Sequence, residues 1–127
     1  MDFDYSGAEP LFRQVADQLR AGIASGEFPE GGPVPSTTEI SRTYAINPAT
    51  VLKGMNLLVG EGLLEKRRGL GMFVVPGARD ALRERERERF VGEGIAAFVA
   101  EARRLGIGRD ELTVLIEGGY SDGIEGH

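Results

Sequence analysis

Side chains able to meet phosphates and base edges are concentrated in two short stretches of this chain. The first holds Asn47, Ala49, Thr50 and Lys53, which would share the opening turns of a helix beginning at Pro48. In such a place Thr50 can bond a phosphate or set its methyl group against thymine, and Lys53 can reach guanine acceptors or the backbone. Asn47 has a second reading, since an asparagine ahead of a proline also caps a helix. The second stretch is Lys66-Arg67-Arg68-Gly69-Leu70-Gly71. Here Arg67 and Arg68 could lie along a groove while Gly69 and Gly71 let the backbone come close to phosphates. As a nucleotide cradle, Gly-x-Gly would need a strand before it and a helix after it, and strand patterns stand on both sides.

Other chemistries are poorly served. The chain has no cysteine and its one histidine is the terminal His127, so thiol catalysis, disulfides and thiolate metal sites are excluded and no metal or cofactor is expected. Carboxylates fall in helix faces and caps, with no nucleophile beside a visible base, which points away from an enzyme. The net charge of −5 runs against a phosphate-binding partner. By segment it divides differently: Ser36 to Pro76 carries five basic and three acidic side chains, and Gly77 to His127 carries eight and eleven. Most of the acidic excess therefore lies outside the two stretches. No apolar run approaches the roughly 20 residues that cross a bilayer, and Met1-Asp2-Phe3-Asp4 is unlike a signal peptide, so no membrane association and a cytoplasmic location are expected.

The elements that must position these residues follow from periodicity and breakers. From Pro10, apolar residues recur at Leu11, Val15, Leu19 and Ile23, with Phe12 and Ala16 beside them, until Gly26: one amphipathic helix. A Pro- and Gly-rich loop from Phe28 to Pro35 is too irregular for an element and ends at Ser36, which with Glu39 makes a Ser-x-x-Glu capping box for a short helix reaching about Tyr44. A third helix starts at Asn47-Pro48, with Val51, Met55, Leu58 and Val59 inward and Ala49, Thr50, Lys53 and Asn56 outward, and stops at Gly62. Leu63–Arg67 and Met72–Val75 flank the basic tip as a β-hairpin. Two helices joined by a short turn and followed by a hairpin make a winged helix-turn-helix over residues 1–76.

Residues 77–127 form a second region, a two-helix hairpin for dimerisation with a frayed tail. One long helix is expected from Arg79 to Leu105. Its first part, Arg83 to Arg89, alternates charge with i,i+3 pairing and reads as a solvated face. Its second part sets Val91, Ile95, Phe98, Ala102 and Leu105 in a heptad stripe that needs a partner surface, for which a homodimer is expected. After Gly106-Ile107-Gly108, Asp110 is placed to cap a last helix carrying Leu112, Leu115 and Ile116, and the Gly-rich stretch from Gly118 to His127 is expected to fray. The fold class is mainly α with a small β-hairpin, read as a winged helix-turn-helix followed by a helical dimerisation hairpin.

The ordered series Pro35-Ser36-Thr37-Thr38-Glu39-Ile40, Ile46-Asn47-Pro48-Ala49-Thr50-Val51, Glu61-Gly62-Leu63-Leu64 and Gly69-Leu70-Gly71-Met72-Phe73-Val74 resembles the GntR family of bacterial regulators. The Asn-Pro-x-Thr-Val start of the third helix and the short region behind the hairpin look like its YtrA-type branch. That resemblance implies a homodimeric repressor, binding a palindromic double-stranded DNA operator and controlling its own or a membrane-transporter operon. It implies DNA contacts at Ser36, Thr38, Arg42, Asn47, Ala49, Thr50, Lys53, Arg67, Arg68, Gly69 and Gly71. The chain departs from the family where many members have Arg, at Thr38, and at Pro48 and Leu52 outside this branch. An effector ligand is left open, because the region behind the hairpin supplies only a helix pair. The acidic balance and the missing arginines leave one alternative, a winged-helix module that binds protein without specific DNA binding.

Overall fold

Apolar periodicity and breaker residues decide where this chain is helical, and a computed structural model describing residues 1–125 shows the result. The order is α1 (Leu11–Ser25), α2 (Thr37–Tyr44), α3 (Pro48–Gly60), β1 (Leu64–Arg67), β2 (Gly71–Val74), α4 (Ala78–Arg89), a π-helical turn (Phe90–Gly94), α5 (Ile95–Arg104) and α6 (Arg109–Glu125). Among the described residues, no helix is long and apolar enough to cross a membrane. The chain divides into two compact units, Met1–Arg85 and the stretch from Glu86 onward.

The first unit is built on α1 and α3. Val15, Leu19 and Ile23 of α1 are buried with Val51, Met55 and Leu58 of α3, and Ile40, Ile46, Leu63, Leu64, Met72 and Val74 complete the core. The crossing of the two helices is close because of Gly54. A Cβ placed there would stand 2.7 Å from the Phe12 carbonyl oxygen and 2.9 Å from Val15 side-chain carbons. The buried stripe of α3 is therefore Val51, Gly54, Met55 and Leu58, and Val59, expected inside, is 36% exposed. Val51, Met55 and Leu58 stand as expected, and Gly54 takes the inward place expected of Val59.

Polar groups also hold this unit. Gln14 is buried, and its amide meets the arm that precedes α1: Oε1 accepts from the Asp4 N–H at 2.8 Å, and Nε2 donates to the Asp4 and Glu9 carbonyls at 2.8 Å each. The Phe3 ring meets Tyr44 edge-on at 5.1 Å, so the arm spans from α1 to the end of α2. At the far side, Arg20 and Arg85 both bind the Glu61 carboxylate, and Arg85 also donates to the Glu61 carbonyl at 2.9 Å. That ties α1, the end of α3 and α4 together. Ala78 and Leu82 of α4 are buried in the same core, so the first unit extends past Pro76-Gly77, where the sequence placed the boundary.

The sheet is larger than a hairpin. β1 and β2 pair antiparallel, with Leu64 opposite Val74 and Arg67 opposite Gly71. Along the other edge of β2, Val34 N–H donates to the Met72 carbonyl at 3.0 Å and Val74 N–H to the Gly32 carbonyl at 2.9 Å. The loop expected to be irregular thus pairs locally with β2. Pro33 lacks a donor, but its neighbours supply the bonds.

In the second unit the single long helix is interrupted, since α4 passes through five π-helical residues, Phe90–Gly94, before α5 begins. The segment contains Gly92 and Gly94, which are poor helix formers. Asp110 does not cap α6; it lies in the first turn, where its charge still favours the exposed N–H groups. The Gly-rich stretch from Gly118, expected to fray, continues α6 to Glu125, and the expectation for Gly126 and His127 lies outside the described residues.

Gly54→Ala should destabilise the first unit by about 1–3 kcal/mol, because its neighbours include backbone that cannot swing away, as urea unfolding would measure. A pH dependence follows from Glu61. Hydrogen bonding from Arg20 holds its carboxyl below the ordinary carboxylate value. A depressed carboxyl stabilises above its unfolded value and loses that contribution as pH falls through the folded one. Glu61→Gln should be less stable than the parent at pH 7, by about 1 kcal/mol given partial solvent screening, with the difference shrinking below about pH 4.

Candidate nucleic-acid interface

The helix-turn-helix is closed by local bonds. Ser36 Oγ accepts from the Glu39 N–H at 3.0 Å while Glu39 Oε1 accepts from the Ser36 N–H at 3.2 Å, the capping box expected at the start of α2. α2 ends at Ala45, which takes a left-handed conformation (φ 54°) without being glycine. The turn is held by Ser41, whose hydroxyl donates to the Ile46 carbonyl at 2.6 Å. Asn47 then caps α3, its Oδ1 accepting from the Ala49 N–H at 2.8 Å. The carbonyl oxygen of that side chain is occupied as a cap, and its amide can still donate outward.

These caps aim α3 so that Asn47, Ala49 and Lys53 are exposed and Thr50 is half-buried. Ser36, Thr38 and Arg42 are exposed on α2 and its cap. Lys53 is not free to sweep: its ammonium lies over the ring of Phe12, 4.0 Å from the centroid, and the Arg13 guanidinium is 5.6 Å from the same ring.

At the hairpin tip Arg67 is doubly held. It pairs with Glu65 at 3.0 Å and stacks on Phe73, 4.1 Å from the centroid. Arg68, Gly69 and Gly71 are exposed. Both glycines have positive φ, 78° and 113°, and a side chain at either would meet nothing nearby, so the turn requires glycine for its backbone and not for room. Leu70 between them is 71% exposed.

The sequence identified the cations of this surface but not what holds them. Glu65, Phe73 and Phe12 escaped notice because Phe12 and Phe73 read as core residues and Glu65 as one charge in a strand. A signal existed on the hairpin alone, where Glu65 stands two residues from Arg67 and Phe73 stands opposite Glu65; Phe12 and Lys53 lie on separate helices with no local signal between them. Among the described residues, no group of three acidic or histidine side chains is placed to hold a metal ion.

In the second unit, Val91 is 57% exposed, Ile95 43%, Phe98 51%, Leu105 59%, Leu115 56% and Ile116 42%. Ala102, expected on the same open stripe, is buried: the chain turns back immediately after it, the Ile107 N–H donating to its carbonyl at 2.9 Å. Leu112 is half-buried.

Comparison with known proteins places this arrangement. The model for bacterial regulatory proteins of the gntR family matches residues 11–74, from the start of α1 to the end of β2. The repressor YtrA of Bacillus subtilis is 25% identical over 88% of this chain and 85% of its own length. A GntR-family transcriptional regulator from Bacteroides thetaiotaomicron is 29% identical, with a TM-score of 0.71 over 90% of this chain and 96% of its own. The N-terminal domain of AraR, solved in complex with a mutant of the operator ORR3, is 27% identical with a TM-score of 0.51, over 53% of this chain and 96% of that domain. Other relatives are longer, and the chain spans 28% of the Escherichia coli repressor MngR.

Because the engaged atom of Asn47 is its cap oxygen, Asn47→Ser should keep the stability of the parent and Asn47→Ala should lose about 1 kcal/mol. Paired urea melts of the two variants test this.

Proposed function

The chain belongs to the gntR family of bacterial regulatory proteins, and from that premise we propose that it is a homodimeric repressor of the YtrA type, acting in the cytoplasm on a two-fold symmetric operator near its own or a transporter operon. Its relatives are helix-turn-helix transcriptional regulators, not enzymes. The observation that carries the DNA reading is the exposure of Lys53 at the start of α3 together with Arg67 and Arg68 on the wing, in a chain that is otherwise acidic. In this reading the first turns of α3 enter the major groove. Ser36, Thr38, Arg42 and Thr50 meet phosphates, and Arg68, Gly69 and Gly71 approach the minor groove.

The dimer reading rests on the second unit. Seven apolar side chains from Val91 to Ile116 stand more than two-fifths exposed there, the kind of open apolar face that marks an interaction surface. A second copy covering them would also supply the second α3, one DNA turn or about 34 Å from the first. No small-molecule effector is proposed.

Footprinting on the DNA upstream of its own coding region should protect two half-sites related by symmetry. Binding should weaken steeply with salt, in proportion to the phosphates neutralised. Ile95→Asp with Phe98→Asp should halve the mass in gel filtration and abolish protection. Affinity that stays flat between low and high salt would instead favour the protein-binding module, and an unchanged mass in the double variant would remove the helix-pair dimer.

A further inference from the structure

The single cation of α3, Lys53, rests on an aromatic ring of α1, and the reason starts at Gly54. With no side chain there, the first turn of α1 lies against α3, the Phe12 carbonyl being the nearest backbone. That approach brings the half-buried Phe12 ring beneath Lys53, whose ammonium is 4.0 Å from the ring centroid. The same ring has the exposed Arg13 guanidinium at 5.6 Å. One aromatic ring on α1 thus gathers two cations, one of them on the helix that faces DNA. The wing repeats the device with Arg67 on Phe73 at 4.1 Å.

We propose that Phe12 is a positioning residue for DNA binding, fixing the Lys53 ammonium against its ring, and that Arg13 is a further phosphate contact made by α1. This rests on the DNA-binding reading above. A free lysine must surrender most of its rotamer freedom when it binds a phosphate or a guanine edge. A lysine already resting on an aromatic face has surrendered part of it beforehand, so the encounter starts from a restricted set of conformers. The ring engages one side of the ammonium only, so the N–H donors turned away from it remain for the DNA. Arg13, beside that ammonium, adds charge without reading sequence.

The test uses the full chain with two duplexes, one covering the footprinted segment and one of mixed sequence and equal length. Before DNA is added, NMR should find the ε-methylene protons of Lys53 shifted upfield by the Phe12 ring current in the parent and in Phe12→Tyr, and unshifted in Phe12→Leu. Phe12→Leu should weaken operator binding about two- to five-fold, as an exposed cation–aromatic contact allows, and Phe12→Tyr should restore it. In a Lys53→Ala background, Phe12→Leu should have no further effect. Arg13→Ala should lower the slope of log affinity against log salt by about one and leave the ratio between the two duplexes unchanged.

Three results overturn the proposal. Equal or tighter binding by Phe12→Leu would mean that the ring holds Lys53 away from DNA. An equal loss in the Lys53→Ala background would mean that Phe12 acts through the fold alone. An unchanged salt slope in Arg13→Ala would remove the phosphate contact. In each of these the parent still binds its operator, and the DNA-binding reading stands. Should the parent bind neither duplex, that reading fails and the proposal fails with it, whatever the NMR shift shows.

Discussion

The surface that presents Lys53 depends on how closely α1 lies against α3, and that distance is set by a side chain that is absent. Gly54 has the Phe12 carbonyl and Val15 where its Cβ would be. Glycine inside a helix costs about 1 kcal/mol against alanine, so the position is unfavourable locally and favoured only by the crossing. The approach seals Val15, Val51 and Met55 from water, each at 0% exposure. It also brings an aromatic ring from α1 within reach of the outward face of α3. Packing and recognition are therefore linked at one residue: a change that separates the helices would loosen the core and release Lys53 together.

Much of this fold was legible from short-range chemistry. The Ser36 capping box, the Asn47 cap with Pro48 behind it and the Gly26 stop after α1 are local events between residues a few positions apart, and each stands where the sequence put it within a residue or so. The wing was legible for the same reason, as two short strand patterns on either side of a glycine turn. What sequence missed was long-range. Gln14 looked like one polar residue on an amphipathic helix, yet it is buried because an N-terminal arm brings carbonyls and an N–H to it. Glu61 looked like part of a helix end, and its two arginines come from residues 20 and 85. Period alone marks which face is apolar, not which element will arrive to satisfy the polar exceptions.

The candidate site divides along the same line. The cations were found because charge type and position are printed in the chain; their restraint was not, because Phe12 stands 41 positions from Lys53 in the sequence numbering. The second unit was the least legible. A heptad stripe foretold apolar exposure in general, and Gly106 and Gly108 foretold the reversal. The π-helical turn at Phe90–Gly94 is a backbone event that side-chain spacing does not encode, and the covering of Ala102 by that reversal was not legible either. α6 outlasted its glycines because adjoining helical residues continue the hydrogen-bond ladder once it is nucleated.

The sheet edge gives the wing's charge another meaning. One side of β2 is occupied by β1 and the other by the Gly32–Val34 loop, and among the described residues no backbone pairs with the outer side of β1. An open strand edge is a template on which another chain can assemble, and charged side chains are the usual deterrent. β1 carries Glu65, Lys66 and Arg67 in succession. The cations that suit a polyanion therefore also guard against aggregation: neutralising them wholesale would cost solubility as well as affinity, and a crowded cell would register the first loss even where no operator is present.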